Sequence, residues 1–313
     1  MRDDLVQSLW NSDAPAGSVH TSRFRVGGVS VQLAGFSEAD VALVPSLESF
    51  RVAGGVSDIN VRVEWAAKIP TAEGCELFDS GSVWRLYRDK CGFQFDFSAP
   101  VLGRNPYKRL LVDEEFRRCS LFLSGECLAS HGDAAPLEYP LDEVLITHRL
   151  TQERAIELHG VGIVGPDGAS NLFVGHSGAG KSTTARLWTS HTNVEILSDD
   201  RIIVRADKVR EDANQIFMYG TPWHGEAAFA LPGCAPLQRI FVLEHGRGNV
   251  LTRLLPSQAV AELFARSFVP FHRHEYVDSA LAFLQQVAGS VPCYRYSFEP
   301  DRRAVERILT FRD

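Results

Sequence analysis

The 313-residue chain has no apolar run approaching the ~20 residues that a bilayer-spanning helix needs. It has no basic excess either, since 32 Lys and Arg against 39 Asp and Glu leave a net charge of −7. A dedicated nucleic-acid binder carries a basic face, so neither nucleic acid nor membrane is an expected partner. The start, Met-Arg-Asp-Asp-Leu, lacks the basic opening and apolar core of a signal peptide, and a cytoplasmic location is expected. The six cysteines, Cys75, Cys91, Cys119, Cys127, Cys234 and Cys293, include no C-x-x-C pair. Buried reduced thiols are therefore expected in place of zinc ligands or disulfides. No repeat of a fixed 20–50-residue period is found, which excludes a solenoid.

What remains is the composition of a globular protein, 45% hydrophobic and 23% charged, with enough length for two domains of roughly 100–200 residues each. Residues 1–20 are polar and without periodicity, the pattern of a frayed or partner-dependent segment. From Phe24 to about Leu123 the chain reads as strands. Val29–Leu33 and Asn60–Trp65 alternate apolar with polar residues, as half-buried strands do. Val83–Tyr87 and Phe93–Phe97 read as a hairpin, and Lys108–Val112 and Cys119–Leu123 as two further strands. The aromatics at 84, 87, 93, 95 and 97 are expected to pack an antiparallel sheet. Asp133–Pro140 reads as a linker, and Leu141–Leu150 as an amphipathic helix. The expected fold is α/β (α+β): a β-rich acceptor- or partner-binding domain over 1–135, then a catalytic domain over 141–313.

The second half holds the most specific pattern. Gly175-His-Ser-Gly-Ala-Gly-Lys-Ser182 fits G-x-x-x-x-G-K-[ST] at every fixed position. The apolar run Leu172–Val174 precedes it as a strand would, and Ser182–Trp188 reads as the first turns of a helix. Glycines in such a loop turn backbone N–H groups inward, and the helix N-terminus adds its own free N–H groups and partial positive charge. Gly175, His176, Ser177, Gly178, Ala179, Gly180, Lys181, Ser182 and Thr183 are thus expected to cradle a nucleoside triphosphate. Lys181 would reach its phosphates and Ser182 would offer a hydroxyl oxygen to Mg²⁺.

Downstream, Val194–Leu197 runs into Ser198-Asp199-Asp200-Arg201. An apolar strand ending in acid holds a carboxylate rigidly beside a metal, and two adjacent acids allow one to organise Mg²⁺ while the other approaches the nucleophile. Arg201 could clamp phosphate or pair with these acids. Gly220-Thr-Pro-Trp-His-Gly-Glu226 is a dense cluster on an expected loop. There Trp223, His224 and Glu226, with Arg201, are candidate acceptor-binding residues.

His159-Gly160, the Gly175–Ser182 run and Asp199-Asp200-Arg201, in this order and spacing, resemble the catalytic core of the HPr kinase/phosphorylase family. They also resemble its relatives in peptide-tailoring clusters, including lasso-peptide kinases, and the core of ATP-dependent phosphoenolpyruvate carboxykinases. The 220–226 segment, Phe229–Pro232 and Arg239–Glu244 look like the HPr-kinase-like serine kinases. The resemblance covers roughly residues 150–245. It implies a P-loop kinase domain using ATP and Mg²⁺. Asp199 would be the base at the acceptor hydroxyl, Asp200 would help hold the metal with Ser182, and His159 would support the catalytic Asp. Lys181 completes the implied catalytic set. Position 176 is His where HPr kinases usually carry Asp, Thr183 stands where they usually carry Glu, and their C-terminal HPr-docking signature is not recognisable. What is implied is therefore a kinase acting on a serine or other hydroxyl of a peptide or small protein, not HPr as the acceptor. A small-molecule hydroxyl kinase and a nucleotide-binding scaffold are the alternatives, and the sequence leaves room for a homo-oligomer.

Overall fold

The computed structural model describes residues 19–312 except 73, 91, 104, 129–134, 192, 211 and 212. Residues 1–18 of the expected N-terminal segment, Cys91, and positions 133 and 134 of the 133–140 linker therefore lie outside the described residues. The protein is mixed α/β and rich in strands, with two sheets and, among the described residues, seven α-helices. The chain divides into two compact units, one built mainly of Ser57–Pro136 with Val31–Leu43. The other is Leu137–Asp313 together with Phe24–Ser30 and Val44–Val56.

The first sheet has eight strands: β1 (His20–Val26), β2 (Val29–Gly35), β3 (Ile59–Ala66), β4 (Glu76–Asp79), β5 (Trp84–Asp89), β6 (Gly92–Phe97), β7 (Lys108–Asp113) and β8 (Arg118–Ser124). Their order is β1-β2-β3-β8-β7-β6-β5-β4. Alternation works as read: Ile59, Val61 and Val63 of β3 are buried while Asn60, Arg62 and Glu64 are not. Phe93, Phe95 and Phe97 are almost fully buried and form core, while Trp84 and Tyr87 are partly exposed. The β5–β6 hairpin is antiparallel, Trp84 opposite Phe97 and Asp89 opposite Gly92. The expectation of an antiparallel sheet is corrected in one respect. β2 pairs with β3, and β3 with β8, in parallel. Parallel neighbours need a long crossover, and a periodicity of two does not reveal strand direction. Two short helices, α1 (Pro45–Glu48) and α2 (Gly125–Leu128), accompany these strands. The thiol expectation also needs correction, because Cys75 and Cys234 are exposed while Cys119, Cys127 and Cys293 are buried.

The second sheet follows α3 (Leu141–Leu150). Its strands are β9 (Ala155–Val164), β10 (Ser170–Val174), β11 (Glu195–Ser198), β12 (Arg201–Arg210), β13 (Ala213–Gly220), β14 (Cys234–Pro236), β15 (Arg239–His245), β16 (Val250–Arg253) and β17 (Cys293–Phe298). The order is β14-β13-β12-β9-β10-β15-β17-β16, with β11 also on β9. β10, β15 and β17 run parallel. Successive side chains of β10 serve opposite layers, as strand geometry requires. Leu172 and Val174 join the cluster completed by α5 (Pro256–Phe264) and α6 (His274–Ser290). Phe173 joins the one completed by α4 (Lys181–His191) and α7 (Arg302–Leu309).

β9 is the strand that positions everything else. Along one edge its C-terminal half pairs with β11 and its N-terminal half with β12. The chain between those two partners bends at Asp199-Asp200, opposite His159-Gly160. The Gly160 N–H donates to the Asp200 carbonyl at 3.0 Å and the Gly175 N–H to the His159 carbonyl at 3.2 Å. A Cβ at Gly160 would lie 3.0 Å from the Phe173 carbonyl oxygen and a Leu172 methyl, which explains the His-Gly pair.

Phe173 is fully buried and stacks on Phe241 at 5.1 Å, with Trp188 at 5.9 Å. Phe173→Ala should therefore destabilise the protein by about 3–5 kcal/mol. Val250→Ala, at a half-exposed position, should stay within about 0.5 kcal/mol of wild type. Denaturant titration of both variants checks the pair.

Candidate functional site

The Gly175–Ser182 loop joins β10 to α4. Gly178 and Gly180 have φ of 79° and 97°, the left-handed region that glycine enters without a Cβ penalty. A Cβ at Gly180 would also sit 2.6 Å from the Phe298 ring. Lys181 is buried and folds back over the loop, its Nζ donating to the carbonyls of Gly175 and His176, both at 3.1 Å. Burial pulls its ammonium down to about 8, with Asp200 opposing that and Arg201 adding to it. Ser182 and Thr183 are half-buried in the first turn of α4, and His176, Ser177 and Gly178 are exposed. His176 is held below its usual range, first by the charge of Arg266 and then by burial.

The two acids do different things. Asp199 is completely buried. Its Oδ1 accepts from the N–H groups of Gly225 at 3.0 Å and Phe229 at 3.2 Å, and its Oδ2 from that of Ala227 at 2.8 Å. Asp200 is partly exposed, with Oδ1 2.8 Å from His159 Nε2 and Oδ2 bonded by Arg201 Nη1. A carboxylate only accepts, so His159 carries hydrogen on Nε2 and donates it. Burial alone would raise the Asp200 carboxyl. The His159 hydrogen bond and the charges of Arg201, His159 and Lys181 outweigh burial and hold it below the ordinary range. The expected partnership of His159 with the catalytic Asp thus falls on Asp200, not on Asp199.

Arg201 faces inward. Its Nε lies 2.9 Å from Glu143 and 3.4 Å from Glu157, and its guanidinium covers the Phe268 ring at 4.1 Å. Glu157 is fully buried, accepts from Thr147 Oγ1 at 2.9 Å, and is raised well above its usual range by burial and by Glu143. Arg201 is therefore an internal brace for Asp200. Trp223 is buried too, and its Nε1 donates to Asp142 Oδ2 at 3.0 Å. Of the four candidate acceptor-binding residues, His224 and Glu226 are exposed, whereas Trp223 and Arg201 anchor the fold. The first-turn acids of α3, Asp142 and Glu143, serve both anchors.

Sequence reasoning did not single out Asp142, Glu143, Glu157 or Arg266. A lone glutamate inside the apolar run Ala155–Val164 was the one available signal, since a buried charge needs a partner. Arg266 had none. It is buried, its backbone carbonyl accepts from the His159 N–H at 2.8 Å, and its Nη1 bonds Glu262. Its Nε is buried without a hydrogen-bond partner, and its charge acts on both His176 and Lys181.

No protein-family model and no curated protein matches this chain. The site is therefore read from its own geometry. A cationic loop (Lys181, with Arg266 near) faces one half-exposed, doubly braced carboxylate (Asp200). That arrangement can bind an anion and accept a proton beside it.

Asp142 supplies a pH test of the bracing. Burial, opposed by the Trp223 hydrogen bond, lifts its carboxyl from 3.8 to about 6. An acid with a raised folded-state value contributes stability below about pH 4 that is lost as pH rises through about 6. The displacement is worth up to about 3 kcal/mol. Asp142→Asn, which keeps an acceptor for Trp223, should stabilise the protein by up to that amount above pH 7 and change little near pH 4. Denaturant titrations at both pH values check this.

Proposed function

We propose that this protein is a Mg²⁺- and ATP-dependent kinase, related in mechanism to the HPr-kinase-like serine kinases, that phosphorylates a hydroxyl of a peptide or small protein. The observation that carries the reading is the convergence of Lys181, in a glycine-turned loop at the start of α4, on the Asp200–His159 pair. On this reading the loop N–H groups and Lys181 hold the β- and γ-phosphates, and Arg266 adds a second positive charge. The acceptor oxygen attacks the γ-phosphorus, the bond to the β-phosphate oxygen breaks to release ADP, and the hydroxyl proton passes to Asp200. Phosphoryl transfer depends mainly on positioning and charge stabilisation. A modest base held by His159 and Arg201 suffices.

Mg²⁺ suits the oxygen donors present. It is commonly held by one or two protein oxygens plus substrate phosphates, and the Ser182 hydroxyl is such an oxygen, which leaves Asp200 to receive the proton. When bound it would neutralise phosphate charge. Among the described residues no group of three or more His, Cys, Asp or Glu could form an all-protein cage, and none is proposed. The described residues also include no helix long and apolar enough to cross a membrane. Asp200 favours catalysis over a purely nucleotide-binding scaffold, because it keeps an open face beside the loop.

Lys181→Ala should weaken Mg·ATP binding at least tenfold, about 1.4 kcal/mol, without altering the fold. Titration calorimetry with a thermal-melt control measures it, and unchanged affinity contradicts the reading. Asp200→Asn should lower γ-phosphate transfer, read as slow release to water when no acceptor is supplied, by about 10²–10⁴-fold. Mg·ATP affinity should change much less.

A further inference from the structure

Resting on the kinase reading, we propose that Asp199 is a positioning residue: it builds the 225–229 turn that forms the acceptor side of the site. Its carboxylate is fully buried and saturated by three backbone N–H groups, those of Gly225, Ala227 and Phe229. An acid so occupied cannot approach an acceptor hydroxyl without releasing the turn. Removing the acid would take the acceptor from three backbone donors at once.

The turn depends on this clamp from both sides. Ala228 adopts φ 59°, a left-handed conformation unusual for a residue with a Cβ. It sits between two of the clamped N–H groups, and its own N–H closes the turn onto the Gly225 carbonyl at 3.2 Å. A Cβ at Gly225 would meet Asp199 Oδ2 at 3.0 Å and Asp200 Cβ at 3.2 Å. The turn backbone thus lies directly against both acids, and a Cβ at this position would press on the Asp199 carboxylate. Its ends are fixed independently. Trp223 is anchored on Asp142, Thr221 Oγ1 donates to the Arg201 carbonyl at 2.8 Å, and the Leu231 N–H donates to the Leu197 carbonyl at 2.9 Å. Between those anchors the Asp199 carboxylate takes three of the segment's N–H groups, Phe229 packs against the core and Ala230 bridges Ser198, while His224, Glu226 and Ala228 are left exposed. The adjacent acids therefore divide the work: Asp200 meets the reacting atoms, and Asp199 sets the surface against which the acceptor is placed.

The test uses the full-length protein with Asp199→Asn, Gly225→Ala and the double variant. Hydrogen exchange is measured over residues 222–231, together with Mg·ATP affinity and γ-phosphate release to water. The proposal expects both single variants to exchange faster in that segment and to lose turnover by about 10²-fold, the usual effect of slight misplacement. Mg·ATP affinity should hold, and the double variant should be no worse than either single one, because both break one unit. Gly225→Ala removes no proton acceptor, so its matching loss separates positioning from proton transfer. Additive losses overturn the proposal, as does an inactive Asp199→Asn protein whose 222–231 exchange equals wild type. Wild-type protein that neither binds nor turns over Mg·ATP overturns the kinase reading itself, a result distinct from either.

Discussion

The hydrogen bond from the Gly160 N–H to the Asp200 carbonyl marks the point on which the second unit depends. There β9 exchanges one edge partner, β11, for another, β12. The chain leaving β11 must bend to enter β12, and the bend carries the two acids. On its other edge β9 pairs with β10, whose end opens the Gly175–Ser182 loop. One strand therefore places the Gly175–Ser182 loop and a pair of carboxylates side by side through backbone pairing. Substitutions on the surrounding helices can change how firmly this geometry is held without changing what it is.

Electrostatics then sorts the groups placed there. Lys181 lies buried against carbonyl oxygens in a partly dehydrated setting, with its proton held less tightly than usual. An incoming polyphosphate would replace weak carbonyl partners with strong anionic ones, a differential that favours binding. Asp200 is held below the ordinary carboxylate range, against its burial, by the His159 hydrogen bond and the charges of Arg201 and Lys181. Behind it, Glu143 and Glu157 share Arg201, and burial together with Glu143 raises the Glu157 carboxyl well above its usual range. That network is costly to bury and valuable mainly for orientation.

What could be read from the sequence was what local rules govern. The Gly175–Ser182 loop demands its residues one by one, since Gly178 and Gly180 need left-handed backbone and Lys181 must start the helix. The limits of α3 and the β5–β6 hairpin likewise follow from patterns within about ten residues. Relations set by distant segments were not legible. Nothing near β3 says that its neighbours run parallel to it, and nothing in Asp199-Asp200 says which acid receives the N–H groups of residues 26 to 30 positions later. The two acids sit in the bend between β11 and β12, and only the contacts made there by residues 225–229 decide which of them is buried. Trp223 and Arg201 were legible as important but not as anchors, because a residue type with both polar and apolar character serves either role.

The most direct test of the account is a crystal structure of the protein with Mg²⁺ and a non-hydrolysable ATP analogue. The account predicts phosphates cradled by the N–H groups of residues 178–182, with Lys181 Nζ moved from the carbonyls of Gly175 and His176 onto a phosphate oxygen. Asp200 should face the γ-phosphate while Asp199 remains on Gly225, Ala227 and Phe229. Nucleotide bound away from the 175–182 loop, or Asp199 turned out of its turn toward the γ-phosphate, would contradict it.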